Sequence, residues 1–273
     1  MAIALIKQDI KFIYKKHMTK YSTFQQLHQQ SEAFLLANAW NPESAKIFEQ
    51  AGAKAIGTSS AALANAFGYD DGENIPFEDL LFIAKRIVES VSLPVTVDLE
   101  RGYGNNAAEI FNNITRLYDA GVVGINIEDS LGNGKRGFHP IAEFAAKING
   151  IKEMLIKNNI SFFINVRTDG FLLNLTDALE QTLERLPVYE AAGADGIFIP
   201  CITDEKDIAT SVKGTKLPVN VMCMPSLPDF KRLSELGVKR ISMGGFAHNK
   251  VYKELEQLVN KITNEQSFAP LFE

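Results

Sequence analysis

The chain has 273 residues, of which 46% are hydrophobic and 22% charged, with a formal net charge of −5. That is the composition of a soluble globular protein able to bury a sizeable core, and its acidic balance argues against a basic face for nucleic acid. No apolar run approaches the roughly 18 residues that a membrane helix needs.

The opening stretch, "MAIALIKQDIKFIYKKHMTK", mixes apolar residues with lysines and lacks a long apolar segment followed by a small-residue cleavage site. It reads as mature protein, with one or two helices before the first strand. The two cysteines, Cys201 and Cys223, have no CxxC spacing. They suit a reducing, cytoplasmic compartment and argue against a disulfide framework or a zinc site.

Short β-like runs then recur along the chain. They are "FLLANAW" from Phe34, "AIGTSS" from Ala55, "LPVTVDLE" from Leu93, "VGINIEDS" from Val123, "FFINVRTDG" from Phe162, "DGIFIPC" from Asp195, "LPVNVMC" from Leu217 and "KRISMGG" from Lys239. Seven stretches between them carry apolar residues mostly at helical spacing. Gly52, Gly121, Gly193 and Gly237 stand where helix C-caps would fall. Eight strands alternating with helices predict a single α/β domain over 1–273, a closed (β/α)8 TIM barrel. A helical segment, 1–33, precedes it, and a helical tail, 247–273, follows. A doubly wound open sheet is the alternative, but no GxGxxG follows the first strand.

Strand side chains alternate between two faces. Val95, Val97 and Leu99 share one face, whereas Thr96, Asp98 and Glu100 share the other. Likewise Ile125 and Ile127 oppose Asn126, Glu128 and Ser130; Ile164 and Val166 oppose Asn165, Arg167 and Asp169; Val219 and Val221 oppose Asn220. The apolar face belongs against the helices, and the polar face then points into the barrel mouth, where active sites of this fold sit. Unpaired ions buried there cost several kcal/mol each, so they must meet each other, a metal or a ligand. Asp98, Glu100 and Glu128 outnumber Arg167, and a hard divalent cation such as Mg²⁺ would balance them. An internal ion-pair network is the alternative reading.

With these residues in place the sequence resembles the isocitrate lyase/phosphoenolpyruvate mutase superfamily, from about Phe34 to Phe246. The likeness rests on "IGTSSAALANAFGYDDGE", "LPVTVDLERGYGN", "AGVVGINIEDS", "INVRTDGF", "AGADGIFIP" and "LPVNVM", in that order. The resemblance implies that Asp98 is the direct ligand of Mg²⁺, or of Mn²⁺ in its place. Asp71, Glu100 and Glu128 match carboxylates that hold the metal, partly through its water shell. Ser59, with the backbone amides of Ser60 and Ala61, matches a cradle for a substrate carboxylate. Arg167 matches an arginine that binds the carboxylate or enolate oxygen, and Asn220 a polar residue near the distal end of the substrate. Relatives of this kind form dimers or tetramers, so a homodimer or homotetramer acting on a small carboxylate is the expectation.

Such a site stabilises an enolate of an α-oxo acid, which serves C–C cleavage, decarboxylation or P–C bond chemistry. The loop over the reacting carbon, "EDSLGNGKRGFHP", lacks the cysteine that isocitrate lyases carry there. It also has Ser130 where mutases have a lysine. Lys135, Arg136 and His139 lie on that loop, and Lys135 and His139 join Arg167 and Glu128 as catalytic candidates. Trp40 either walls the pocket or packs in the core. The expected function is a Mg²⁺-dependent lyase acting on a small α-oxo or 2-hydroxy acid. Phosphoenolpyruvate mutase or phosphonopyruvate hydrolase chemistry, and a non-catalytic oxo-acid binding protein, are the alternatives.

Overall fold

The structure is a computed structural model that describes residues 19–132 and 137–273. Eight parallel strands close into a barrel in sequence order. They are β1 (Phe34–Ala39), β2 (Ala55–Thr58), β3 (Val95–Asp98), β4 (Gly124–Glu128), β5 (Phe163–Arg167), β6 (Gly196–Ile199), β7 (Val219–Met222) and β8 (Arg240–Ser242). This is the (β/α)8 barrel that the strand–helix alternation predicts. The open doubly wound sheet is ruled out by the pairing of β1 with β8.

Ten α-helices are present among the described residues. Helix α1 (Lys20–Leu27) precedes the barrel, and α2 (Pro42–Gln50) follows β1. Both α3 (Ser60–Ala66) and α4 (Phe77–Ser90) lie between β2 and β3. Helices α5 (Ala107–Asp119), α6 (Ile141–Lys157), α7 (Ala178–Ala191), α8 (Glu205–Lys213) and α9 (Phe230–Glu235) follow the next five strands. The chain closes with α10 (Phe246–Glu265) and a 3₁₀ turn, Ala269–Leu271. Local chemistry sets the boundaries. Asn41 and Ser44 form a capping box at the start of α2, with Pro42 behind the cap. The four glycines read as helix ends have φ of +91, +90, +95 and +92, a region that costs other residues dearly.

The alternation of faces sorts as the sequence suggests. Val95, Val97, Ile125, Ile127, Ile164, Val166, Val219 and Val221 lie in the main apolar cluster with the helices. The opposite face fills the barrel. Asn165 Nδ2 donates to Asn126 Oδ1 at 2.9 Å, and Arg240 Nη2 reaches across from β8 to the same oxygen at 2.8 Å.

The end of the barrel formed by the strand N-termini is closed by α1. Phe24 and Leu27 pack with Phe34, Leu36, Ala55, Val123 and Phe163. His28 stacks on Phe163 with ring centroids 4.4 Å apart, its Nδ1 against the Phe24 carbonyl at 2.8 Å. Helix α10 begins directly after β8, within one residue of the start of the expected helical tail, 247–273. Its Val251, Tyr252, Leu255 and Val259 are exposed. No helix among the described residues is long and apolar enough to cross a membrane.

Candidate active site

The polar face of β3, β4 and β5 converges at the opposite end of the barrel. Strands β4 and β5 pair so that Glu128 stands level with Arg167. The two meet at 3.0 Å between Arg167 Nη1 and Glu128 Oε2. The other edge of Arg167 is gripped by Asp169, with Nε donating to Oδ1 at 2.6 Å and Nη2 to Oδ2 at 3.1 Å. Such a fork fixes the guanidinium plane as well as its position.

Asp98 ends β3. Ser60 Oγ donates to its Oδ2 at 3.0 Å, and Asn126 Nδ2 approaches Oδ1 at 3.4 Å. Ser59 is the N-cap of α3, its Oγ accepting from Ala62 N at 3.3 Å. The capping leaves the Ser60 and Ala61 amides, the first two of the helix, without an intrahelical partner. Ser59 and Ser60 are both buried beside the carboxylates.

Glu100 reaches the site by a different route from the one that strand alternation suggests. It lies beyond the end of β3 in the left-handed region, at φ +51, as does Tyr103 at φ +54. Such backbone persists only where its surroundings hold it. Here the Glu73 amide donates to Glu100 Oε2 at 2.7 Å, and the Tyr103 hydroxyl donates to Oε1 at 3.2 Å. Gly102 sits at φ +105, where a Cβ would come within 2.8 Å of Ile110, so the tight turn needs glycine.

Crowding of like charges shows in the acidities. Burial pushes the Glu100 carboxyl up to about 8, and the charges of Asp98, Asp71, Glu128 and Glu73 add to the shift. Burial also raises Asp98, with Arg167 pulling the other way and Glu128 and Asp71 reinforcing it. Burial works against the Arg167 cation, but Glu128, Asp169 and Asp98 outweigh it and hold the group charged. Asp71, exposed on the loop after α3, is therefore close enough for its charge to act on both Asp98 and Glu100.

The donor set is all oxygen and strongly acidic, which suits a hard divalent cation. Among the described residues no three His, Cys, Asp or Glu side chains are spaced to enclose an ion by themselves.

Other expected residues stand elsewhere. Asn220 is buried inside the barrel, its Nδ2 donating to the Val221 carbonyl at 2.7 Å and the Arg240 carbonyl at 3.2 Å. Its amide is thus taken up in the interior network. The Trp40 ring packs against Phe48 and His248 and lines an apolar groove with Ile47, Val251 and Leu255. His139 sits at the rim with its ring over Phe144, and burial, then Lys147, lower its basicity. Lys135 and Arg136 lie outside the described residues.

Four further residues join the site. Ser130 Oγ donates to Glu128 Oε1 at 2.8 Å. Asp169 positions Arg167. Glu73 Oε1 accepts the amides of Arg101 at 3.0 Å and Tyr103 at 2.8 Å. Arg101 brings a second guanidinium, 3.1 Å from Glu73 Oε2 and 3.8 Å from Glu128 Oε1. Asp169 shared the polar face of its strand in the sequence, but Glu73 and Arg101 reach the site through loop turns that leave no periodic signal.

Residues 24–263 match the model of the phosphoenolpyruvate phosphomutase family. The chain belongs to this family. Within it, the chain is 34% identical over 227 residues to an uncharacterised protein of Mycobacterium tuberculosis, covering 83% of each. It is 30% identical over 240 residues to an oxaloacetate decarboxylase of Pseudomonas savastanoi pv. phaseolicola, covering 85% of this chain and 80% of that one. A crystal structure from Burkholderia cenocepacia, provisionally described as a phosphonomutase, superposes with a TM-score of 0.84 at 36% identity. That match covers 88% of this chain and 99% of the other. A phosphonopyruvate hydrolase solved with oxalate and Mg²⁺ shares the fold, with a TM-score of 0.81 at 24% identity, covering 92% of this chain and 89% of the other.

Proposed function

We propose that this family member is a Mg²⁺-dependent lyase that acts on a small α-oxo or 2-hydroxy acid, by C–C cleavage or decarboxylation. One observation carries the reading: Asp98, Glu100 and Glu128 crowd beside Arg167 in the barrel mouth, with Glu100 pushed up to about 8 by burial and its acidic neighbours. Carboxylates packed this closely are short of positive charge, and a bound cation relieves them. Asp98 is the direct ligand in this reading, with Asp71, Glu100 and Glu128 engaged through water, because Mg²⁺ keeps several waters. Mn²⁺ can replace it. The family's oxaloacetate decarboxylase, 30% identical to this chain, supports the same class of substrate.

When bound, the metal supplies Lewis-acid charge to the oxygens of the oxo acid. The chain's own residues do the rest. Arg167, with its plane set by Asp169, receives the substrate carboxylate or the negative oxygen that develops from the oxo group. Ser59 and the open amides of Ser60 and Ala61 cradle the carboxylate. Glu128 holds Arg167 in place and is itself fixed by Ser130. Asn220 and Trp40 support the pocket through their packing. His139, with its lowered basicity, and Lys135 are the candidates to deliver a proton at the reacting carbon. The exposed apolar residues of α10 support a homodimer or homotetramer, which light scattering measures.

A pyruvate-release assay with oxaloacetate, 2-methylisocitrate, other 2-oxo and 2-hydroxy diacids and phosphonopyruvate tests the reading, with Mg²⁺ and with EDTA. Metal-dependent release from a carbon acid is the expected result. Release from phosphonopyruvate alone moves the protein to P–C bond chemistry, the reading that the Burkholderia neighbour favours. Metal-dependent binding of oxalate without turnover of any compound leaves an oxo-acid binding protein.

A further inference from the structure

The carboxylate of Glu128 carries an arginine on each side. Arg167 Nη1 lies 3.0 Å from Oε2, and Arg101 Nη1 lies 3.8 Å from Oε1. The two cations are held differently. Arg167 is clamped by Asp169 through Nε and Nη2. Arg101 is anchored through one nitrogen only: its Nη2 donates to the Gly72 carbonyl at 3.1 Å and meets Glu73 Oε2 at 3.1 Å. Its Nη1 makes no hydrogen bond among the described residues, since 3.8 Å is an electrostatic contact and beyond hydrogen-bond reach. A guanidinium has five N–H donors in a fixed fork. Among the described residues Arg101 therefore keeps donors at the mouth that no partner takes, while its base is fixed.

Packing keeps it there. The Arg101 side chain is 13% exposed. Gly132, at φ +66, lies flat against it, so that a Cβ at that position would fall 2.3 Å from the Arg101 Cζ and Nη1. His139 and Lys147 line a rim cavity of about 310 Å³ with Asn105 and Asn106, with Glu143 as its one acid. Burial lowers the basicity of both His139 and Lys147, and each lies near enough to Arg101 for its charge to add to that shift.

We propose that Arg101 is a specificity-determining residue that binds a second anionic group of the substrate, so that the site selects oxo or hydroxy acids charged at both ends. One end lies against Arg167 and the other against Arg101, on the two sides of Glu128. This rests on the function proposed above and adds to it the residue that reads the far end of the substrate. Arg101 stands one position after Glu100, on the loop that the left-handed backbone of Glu100 and Tyr103 turns back over the site. A planar fork there suits a carboxylate or a phosphonate equally, and the paired probes below commit to the carboxylate.

Two stable hydroxy acids separate this role from a structural one. Malate and 2-hydroxybutyrate differ in that a methyl group stands where malate has its second carboxylate. Oxalate fills the metal end alone. Binding of each to the Mg²⁺-loaded full chain is measured by calorimetry for wild type, Arg101→Gln and Arg101→Lys. The expected wild-type preference for malate over 2-hydroxybutyrate is tenfold or more. Arg101→Gln removes that preference while oxalate affinity changes by less than threefold, and Arg101→Lys keeps part of it. A preference that survives in Arg101→Gln overturns the proposal, as does a wild type that shows none. Loss of oxalate binding in step with malate makes Arg101 a clamp for the 72–73 turn and overturns it too. A wild type that binds oxalate no better with Mg²⁺ than with EDTA sinks the functional reading beneath it, a result distinct from all of these.

Discussion

The two ends of the barrel are built from opposite materials. At the end closed by α1, Phe24, Phe34, Phe163 and Leu36 pack with His28 among them, and every ring meets another edge-on or stacked. At the other end, Asp98, Glu100, Glu128 and Asp169 meet Arg101 and Arg167. The first arrangement is stable alone, because apolar surface leaves water and little charge is stranded. The second is under strain until something positive arrives, as the raised pKa of Glu100, from burial and its acidic neighbours, shows. Between them the Asn126, Asn165, Asn220 and Arg240 network separates the two. In this fold, residues at the strand N-termini serve stability and residues at the strand C-termini serve chemistry.

The sharpest way to break the contrast is to exchange the phenotypes. Asp98→Ala should lower metal-dependent turnover by roughly a thousandfold or more, about 4 kcal/mol of transition-state stabilisation at 1.36 kcal/mol per decade. Its melting temperature should stay within a few degrees of wild type, as a thermal scan would show. Phe163→Ala should do the reverse. Cutting a fully buried phenylalanine to alanine costs about 3–5 kcal/mol, visible in a urea titration, with KM for the same substrate unchanged.

The two ends should also answer pH in opposite senses. In metal-free protein, Glu100 is an acid whose folded pKa, about 8, is raised above its usual 4.5. The folded state keeps a proton that the unfolded chain gives up, so stability falls as pH rises from 4.5 towards 8. Glu100→Gln removes that loss and should stabilise the metal-free protein by about 1–3 kcal/mol at pH 8. Saturating Mg²⁺ should cancel the advantage, because the wild-type carboxylate then has a partner.

His28 is the counterpart. Burial, then the nearby Arg240 cation, lower it from 6.5 to about 3, with the Phe24 carbonyl opposing. The unfolded chain takes up a proton below pH 6.5 that the folded state refuses, so stability falls as pH drops from 6.5 towards 3. The slope is about 1.4 kcal/mol per pH unit from this residue. His28→Phe should flatten the acid limb of the stability curve and leave the alkaline limb alone. An unchanged acid limb would mean that His28 is protonated in the folded protein.

Much of this was legible in the sequence. All eight strands were readable, because parallel strands buried against helices leave an apolar parity and the mouth leaves a polar one. Asp98, Glu128 and Arg167 followed from that parity. Helix α3 was missed, since seven residues of mostly alanine and serine show no apolar stripe. Glu100 was placed for an incomplete reason: its side chain is aimed by a left-handed turn and two hydrogen bonds, which alternation cannot foresee. Arg101 and Glu73 were invisible for the same reason, because their meeting depends on two loops separated by α4 and β3. Asn220 was read as a pocket residue from the resemblance and Trp40 as either pocket wall or core, and the structure commits their polar and aromatic contacts to the interior network and the α10 groove.

The central claim is that the crowded carboxylates make a metal-dependent site for small carboxylates. Calorimetric titration of oxalate into the full chain, with Mg²⁺ and with EDTA, for wild type and Asp98→Ala, tests it most directly. The wild type should bind with Mg²⁺ only, and the variant under neither condition. Equal binding in EDTA, or binding that survives in Asp98→Ala, would contradict it.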